Sequence, residues 1–189
     1  MISGKAKGRK LKAVPGDTTR PIMDRVKENL FNILGDWVIG TRWLDLFAGT
    51  GQVGIEALSR GASEVVFVDS VLPAIRTVSA NLELTKLTDG AKVLRMDAFN
   101  YLERGVGRPF DLIYVAPPQY QDIWSEVLKT LDKEPTRYIT MGEEESGIVA
   151  VQIDPKEYQE LPLKNLELYD QRKYGRTMLC FYEVVVSSE

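Results

Sequence analysis

The chain has 189 residues, of which 44% are hydrophobic, and this size and composition predict a single globular domain that needs no disulfide or metal to fold. It contains one cysteine and no histidine, which excludes a disulfide framework, Ser-His-Asp and Cys-His catalysis, histidine-ligated zinc and histidine proton shuttles. The formal net charge of −3 does not exclude a nucleic-acid partner, because basic residues are concentrated at one end of the chain.

The N-terminal segment is strongly basic. Residues 1–27 carry eight Lys or Arg against two Asp, whereas the rest of the chain is acidic. Glycines among the basic residues predict a short extended ribbon or flexible arm over residues 1–20 rather than a core element. Such a localised charge favours docking of a phosphate backbone at one place, and a solvated or disordered tail is the alternative from charge alone.

A helix is predicted over residues 21–35. Pro21 suits a first helical turn, apolar residues recur at helical spacing, and Gly35 suits a helix end. We expect this helix to cover the sheet that the following segments predict.

From residue 42 the pattern alternates between strands and helices, as in a parallel sheet. The predicted strands are 42–47, 64–69, 91–96, 110–115 and 147–153, and the predicted helices are 53–60, 73–87, 98–104 and 120–132. Residues 166–171 and 177–185 predict an antiparallel hairpin around a turn at 172–176, and Glu143–Glu145 predict a solvated loop rather than a metal site. The fold class is therefore α/β, a mostly parallel twisted sheet flanked by helices, with a C-terminal hairpin and a core at 42–189.

Residues 43–54 predict a buried strand, a glycine turn and the start of a helix. Gly49 and Gly51 let the backbone turn tightly and approach a ligand, and the first N–H groups of the helix point to the same place. Asp69 ends the next strand, at the distance expected for a ribose-binding carboxylate, and Asp97 follows the third strand, where it suits an adenine amino group. For either aspartate alone, a cap or a turn residue is the alternative. The pattern predicts a nucleotide-like cofactor, which is either NAD or S-adenosylmethionine.

A second motif follows the strand predicted at 110–115 and reads Ala116-Pro117-Pro118-Gln119-Tyr120. The two prolines fix the backbone and leave neighbouring carbonyls free to accept hydrogen bonds from an amino group of a ligand. Tyr120 offers a stacking face for a flat base. An ordinary Pro-Pro loop is the alternative for the dipeptide by itself.

Together these segments resemble the class I methyltransferases that use S-adenosylmethionine and, within them, the RsmD family. The resemblance is carried by Ser3–Leu11, Thr19–Pro21, Asp24–Glu28, Leu30–Leu34, Leu44–Gly51, Gly54–Ala62 and Tyr174–Thr177. It implies a Rossmann-like fold and methylation of the N2 amino group of a guanine in small-subunit ribosomal RNA. The implied partner is that RNA or an assembled small subunit, and the implied enzyme is a monomer that needs S-adenosylmethionine but no metal and no membrane.

The chain departs from the family pattern in the second motif. Ala116 stands where the family has an acidic or amide residue, and Gln119 is inserted before, or replaces, the usual aromatic residue. Loss of a side-chain acceptor beside the target amine costs roughly a hundredfold or more in rate if nothing substitutes. We therefore predict that the Pro117 carbonyl and the Gln119 side-chain oxygen accept hydrogen bonds from the amine, with Tyr120 stacked on the base. The Ala-Pro-Pro-Gln-Tyr form itself resembles cyanobacterial and plastid members.

The resemblance also implies roles for the other site residues. Phe47, Gly49 and Gly51 shape the methionine end of the cofactor pocket, and Asp45 positions the turn and meets the cofactor's amino group. Asp69 holds the ribose, Asp97 holds the adenine, and Pro117 to Tyr120, including Pro118, hold the target base. The candidates for RNA phosphates are Arg9, Lys10, Arg20 and Arg25, with Arg172, Lys173 and Arg176 as weaker ones.

Three other functions stay open from the sequence. An NAD-dependent oxidoreductase fits the glycine pattern and Asp69, although the motif loops offer no acid for a hydride site. A non-catalytic RNA-binding or assembly protein is motivated by Ala116, and a DNA adenine methyltransferase shares the Pro-Pro chemistry but not the N-terminal segments.

The compartment is predicted from what the sequence does not contain. No apolar run approaches the roughly 18 residues of a membrane span, and the first residues lack the apolar core of a secretory signal. These features predict a soluble protein of the bacterial cytoplasm. The alternative is a mature chloroplast stromal form without its transit peptide.

Overall fold

The computed structural model describes residues 1–16, 22–105, 107–142 and 146–185. The helices are α1 Asp24–Leu34, α2 Gln52–Ser59, α3 Leu72–Thr85, α4 Ala98–Arg104, α5 Ile123–Lys133 and α6 Pro135–Tyr138. The strands are β1 Arg42–Asp45, β2 Glu64–Asp69, β3 Ala91–Arg95, β4 Leu112–Val115, β5 Ile148–Ile153, β6 Leu166–Tyr174 and β7 Thr177–Val184. Short 3-10 segments span Gly4–Ala6, Gly35–Val38 and Pro155–Glu157.

The chain divides into two compact units, Met1–Tyr101 and Leu102–Glu189. In the first unit the strand order is β3-β2-β1 and both pairings are parallel, with Leu44 opposite Val66 and Val66 opposite Lys92. The core of this unit includes the fully buried Trp43, on which the ring of Phe31 from α1 stacks with 5.5 Å between centroids.

The second unit has the strand order β4-β5-β7-β6. Strands β4 and β5 are parallel, whereas β7 runs antiparallel to both β5 and β6. Trp124, Phe110 and Phe181 are fully buried in this unit. The predicted fold class, a mostly parallel α/β arrangement that ends in an antiparallel hairpin, is confirmed, while the single domain stays a prediction.

Some predicted boundaries are wrong. The predicted turn at 172–176 is too long, because β6 continues to Tyr174, which pairs with Thr177, and leaves a two-residue turn. Gly175 has a φ of +60°, which glycine adopts without a steric penalty, and this allows the tight turn. The first helix begins at Asp24, since Met23 is still extended, and Pro21 lies outside the described residues. Helix α6 was not predicted.

Residues 1–16 of the basic arm contain a 3-10 turn at Gly4–Ala6 rather than an extended ribbon, and they are bound to α2 and α3 of the first unit. The backbone N–H groups of Ile2 and Ser3 donate to the two carboxylate oxygens of Glu56 at 3.0 and 2.9 Å. The N–H of Ala6 donates to the Ser59 hydroxyl, and Ala6 itself is buried. The interpretation as a solvated tail is therefore wrong for residues 1–16, because α2 supplies acceptors for the backbone of the arm.

Glu56 also pairs with a buried cation of α1. Lys27 is only 2% exposed, and its Nζ lies 3.7 Å from Glu56 and 3.2 Å from the side-chain oxygen of Gln52. Arg60 donates to the same carboxylate at 3.0 Å. Lys27 is therefore a structural ion-pair partner, although it contributes to the basic character of the N-terminal sequence.

Removing the Glu56 carboxylate should therefore cost far more than an ordinary surface substitution. Glu56→Ala leaves Lys27 buried without this partner and frees two N–H groups of the arm, so we expect the free energy of unfolding to fall by about 3–5 kcal/mol. Urea unfolding followed by circular dichroism measures this loss. Glu83→Ala, at an exposed position of α3, is the matched control, and equal losses in the two variants would contradict the account.

Candidate functional site

The turn between β1 and α2 has the backbone geometry that its glycines predict. Gly49 and Gly51 have φ values of +56° and +78°, in the left-handed region where a Cβ is disfavoured. The N–H of Gly51 donates to the carbonyl of Ala48 at 2.8 Å and closes the turn, and Gly51 is the residue that precedes α2. Phe47 is half-buried within the same segment. The predicted strand, turn and helix are therefore all present.

Asp69 is brought to this turn from the end of β2. Its Oδ2 accepts a hydrogen bond from the N–H of Gly49 at 2.9 Å, and its Oδ1 accepts one from the N–H of Val71, also at 2.9 Å. The side chain is half-buried, and each carboxylate oxygen keeps a second lone pair for a ligand hydroxyl. The geometry joins the carboxylate predicted to bind ribose to the predicted glycine turn.

Asp45 lies beneath the turn and is almost completely buried. Burial raises the pKa of its carboxyl from 3.8 to about 7, against the opposing effect of a hydrogen bond from the Gly54 N–H, which lies 3.3 Å from Oδ2. The nearby charge of Asp69 raises the pKa further. Gly54 leaves no room for a side chain, since a Cβ there would lie 2.3 Å from Cε1 of Phe67.

Asp97 is exposed, and its carboxylate accepts the N–H of Asn100 at 3.0 Å in the first turn of α4. The helix cap, which was the alternative interpretation of this residue, is thus present. A carboxylate with one short local bond still has lone pairs for a ligand amino group. Its contact with adenine stays a prediction.

Asn81, which was not predicted as a site residue, binds both the turn and the arm. Asn81 is fully buried on α3, and its Nδ2 donates to the carbonyls of Thr50 at 2.9 Å and Lys12 at 3.0 Å. Its Oδ1 accepts the N–H of Lys12 at 2.7 Å. A sequence signal that could have identified Asn81 is its position on the buried face of α3, three residues after Val78.

The second motif follows β4 in the second unit. Ala116 and Pro117 are half-buried, whereas Pro118, Gln119 and Tyr120 are exposed. The structure therefore places the candidate acceptors in an accessible loop.

Tyr120 is held by two residues that the sequence analysis did not select. Its N–H donates to Oε1 of Glu157 at 2.6 Å, and its hydroxyl donates to Oδ2 of Asp154 at 2.7 Å. The hydrogen bond to Asp154 raises the pKa of the Tyr120 phenol. The pKa of Asp154 is lowered, first by the bond from the Lys156 N–H and then by the one from Tyr120. A capping-box pattern at residues 154–157 was the available signal.

The candidate RNA contacts fall into three groups. Arg9, Lys10, Arg25, Lys173 and Arg176 are exposed, although Arg9 also donates to the Leu84 carbonyl. Arg172 pairs with Asp170 at 3.0 Å, and Arg20 lies outside the described residues.

Within residues 1–16, 22–105, 107–142 and 146–185, no group of three or more Cys, Asp or Glu residues is arranged to hold a metal ion. In the same part of the chain, no helix has the length and apolar character needed to cross a membrane.

Comparison with known proteins relates the chain to methyltransferases. The family model described as Conserved hypothetical protein 95 matches residues 1–183. A Bacillus subtilis protein named "Putative rRNA methyltransferase YlbH" is 41% identical over 187 residues, which cover 97% of each chain. The Haemophilus influenzae protein named "Ribosomal RNA small subunit methyltransferase D" is 33% identical over 133 residues, covering 69% of each chain. The Escherichia coli structure described as "Putative methyltransferase yhhF" has a TM-score of 0.80 and 28% identity, and it covers 99% of this chain and 98% of that one.

The raised pKa of Asp45 predicts a pH-dependent effect of Asp45→Asn on stability. Between pH 4 and 7 the carboxyl is ionised in the unfolded chain but protonated in the folded one, so its contribution to the free energy of unfolding falls as the pH rises. The variant lacks this loss. We therefore expect the melting temperature of Asp45→Asn minus that of the wild type to be larger at pH 8 than at pH 4.5, by on the order of 5–10 °C.

Differential scanning fluorimetry at the two pH values measures this effect. Asp89→Asn, at an exposed position, is the control and should show the same difference at both. A difference for Asp45→Asn that does not grow with pH would contradict the assignment.

Proposed function

Since the chain belongs to the Conserved hypothetical protein 95 family, we propose that it transfers a methyl group from S-adenosylmethionine to the N2 amino group of a guanine in small-subunit ribosomal RNA. The predicted resemblance to the RsmD family is confirmed, and the chain is an S-adenosylmethionine-dependent rRNA methyltransferase. The choice of guanine N2 as the acceptor is our inference from that resemblance and from the residues after β4.

The turn between β1 and α2 is the observation that carries the proposal. Gly49 and Gly51 leave the backbone open to the methionine end of the cofactor, with Phe47 beside them. Asp69, fixed to Gly49, can accept from the two ribose hydroxyls, as a carboxylate at the end of the second strand does in dinucleotide sites. Asp97 is the proposed partner of the adenine amino group, and Asp45 positions the turn from below.

A chain without histidine is suited to this reaction. The bound cofactor supplies an activated methyl group and its own leaving group. The protein's task is then to hold the amine in line with that methyl group, and such alignment can lower a barrier by roughly 7–11 kcal/mol. No general base with a histidine-like pKa is required, which agrees with the composition.

The loop after β4 supplies the proposed acceptors for the amine. A guanine amino group is a poor nucleophile because its lone pair is delocalised into the ring, and acceptors for its protons localise that pair. Ala116 has no polar side chain, so this task falls to the Pro117 carbonyl and the Gln119 side-chain oxygen. Pro118 carries no N–H that could compete for these acceptors. The base must leave its stack to reach them, and the exposed ring of Tyr120 offers it a new stacking surface.

RNA phosphates are the proposed partners of the exposed cations. Arg9 and Lys10 lie on the bound arm and Arg25 lies on α1, so these three charges belong to the first unit. Lys173 and Arg176 belong to the hairpin of the second. We propose that the enzyme acts as a monomer in the bacterial cytoplasm, where its rRNA substrate is made, with the chloroplast stroma as the alternative.

Identification of the methylated nucleoside tests the proposal. The full chain is incubated with methyl-labelled S-adenosylmethionine and unmodified small ribosomal subunits, and in parallel with naked small-subunit RNA. After nuclease digestion, we expect the label in N2-methylguanosine. Label in another nucleoside would contradict the proposed acceptor.

A chain that binds cofactor and RNA but transfers no label would instead support a non-catalytic assembly protein, the alternative that Ala116 favours. Asp69→Ala is the matched negative control. It should lower labelling by about tenfold or more at limiting cofactor because the ribose loses its carboxylate partner.

A further inference from the structure

The backbone of Tyr120 has a conformation that a side chain of its size rarely adopts. Its φ is +59°, in the left-handed region that favours glycine. Tyr120 directly follows the two proposed acceptors, Pro117 and Gln119, in the same exposed loop. A non-glycine residue persists in this conformation only when surrounding contacts hold it there.

Two carboxylates of one short turn provide these contacts. Oε1 of Glu157 accepts the backbone N–H of Tyr120 at 2.6 Å, and Oδ2 of Asp154 accepts its phenolic hydroxyl at 2.7 Å. The backbone and the side-chain tip of Tyr120 are thus held by the two ends of the segment Asp154–Glu157. Both contacts are charge-assisted hydrogen bonds, which are stronger than neutral ones.

The turn that holds Tyr120 is itself internally bonded. Oδ1 of Asp154 accepts the N–H of Lys156 at 3.0 Å, and Oε2 of Glu157 accepts the N–H of Asp154 at 3.3 Å. Each carboxylate therefore uses one oxygen to close its own capping box and the other oxygen to bind Tyr120. Asp154 is buried, so its position does not depend on solvent-exposed rotamers.

We propose that Asp154 and Glu157 are positioning residues that fix the acceptor loop through Tyr120, and that this clamp offsets the absence of a polar side chain at Ala116. The inference rests on the proposed function, in which the loop binds the target amine. A carbonyl acceptor can be aimed only by the backbone, whereas an Asp or Asn side chain could adjust its own direction. A loop that relies on the Pro117 carbonyl therefore requires a fixed backbone, and displacement by about 1 Å can cost on the order of a hundredfold in rate.

Steady-state kinetics of three variants test the proposal. Glu157→Ala removes the acceptor for the Tyr120 N–H, and we expect kcat for methyl transfer to fall by about 10- to 100-fold while KM for S-adenosylmethionine stays within about twofold. Glu157→Gln keeps one oxygen that can accept this N–H but loses the oxygen that accepts the Asp154 N–H, so only part of the activity should return. Glu160→Ala, an exposed glutamate three residues further along, is the matched control and should behave as the wild type.

A spectroscopic measurement tests for the hydrogen bond between Tyr120 and Asp154 independently of catalysis. The bond to Asp154 raises the pKa of the Tyr120 phenol, so Asp154→Asn should let one tyrosine ionise at lower pH in an ultraviolet titration, and Glu160→Ala should not. An unchanged titration in Asp154→Asn would show that the clamp is absent and would overturn the inference.

The possible failures are distinguishable. If the wild-type chain methylates guanine and Glu157→Ala is as active as Glu160→Ala, the positioning role is wrong and the proposed function stands. If the wild-type chain transfers no methyl group, the proposed function fails and this inference fails with it.

Discussion

The hydrogen bond from the Gly49 N–H to the Asp69 carboxylate is the contact on which the proposed cofactor site depends. It joins the glycine turn after β1 to the Asp69 carboxylate at the end of β2 at 2.9 Å. Asp45 accepts a hydrogen bond from the N–H of Gly54 in α2, directly after the turn. Asn81, which lies on α3, donates to the carbonyl of Thr50 within the turn. A ligand that enters this turn meets a frame that is already formed, so little ordering cost is left to binding.

The same unit holds the basic arm by its backbone. Its backbone is bound by Glu56, Ser59 and Asn81, which are all buried, while the Lys10 side chain stays exposed. The buried Lys27–Glu56 pair adjoins this attachment, and removing one partner would leave the other with a single exposed or partly exposed ion-pair partner, Asp24 for Lys27 and Arg60 for Glu56. Because the backbone of the arm is bound, its cations stay close to α2 and α3, which supports the proposed contact with an RNA phosphate backbone at one place.

Much of this architecture could be predicted because it is encoded locally. Alternating apolar segments predicted the strands, and the spacing of Gly49, Gly51 and Asp69 predicted the turn and the carboxylate beside it. The long-range contacts of Asn81, Glu56 and Asp154 could not be found in this way, because they join residues that are 31 to 69 positions apart in the chain and come together only on folding. The length of the hairpin was misjudged because Arg172 and Lys173 are typical of loops, yet they pair within β6 and β7.

Isothermal titration of the full chain with S-adenosylmethionine, and separately with NAD, tests the central claim most directly. We predict that S-adenosylmethionine binds, that NAD does not, and that Asp69→Ala weakens binding by about tenfold or more because a charge-assisted bond to ribose is lost. Asp89→Ala, at an exposed position outside the turn, should bind as the wild type does. Binding of NAD in place of S-adenosylmethionine, or an affinity unchanged by Asp69→Ala, would contradict the claim that this turn is the methyl donor's site.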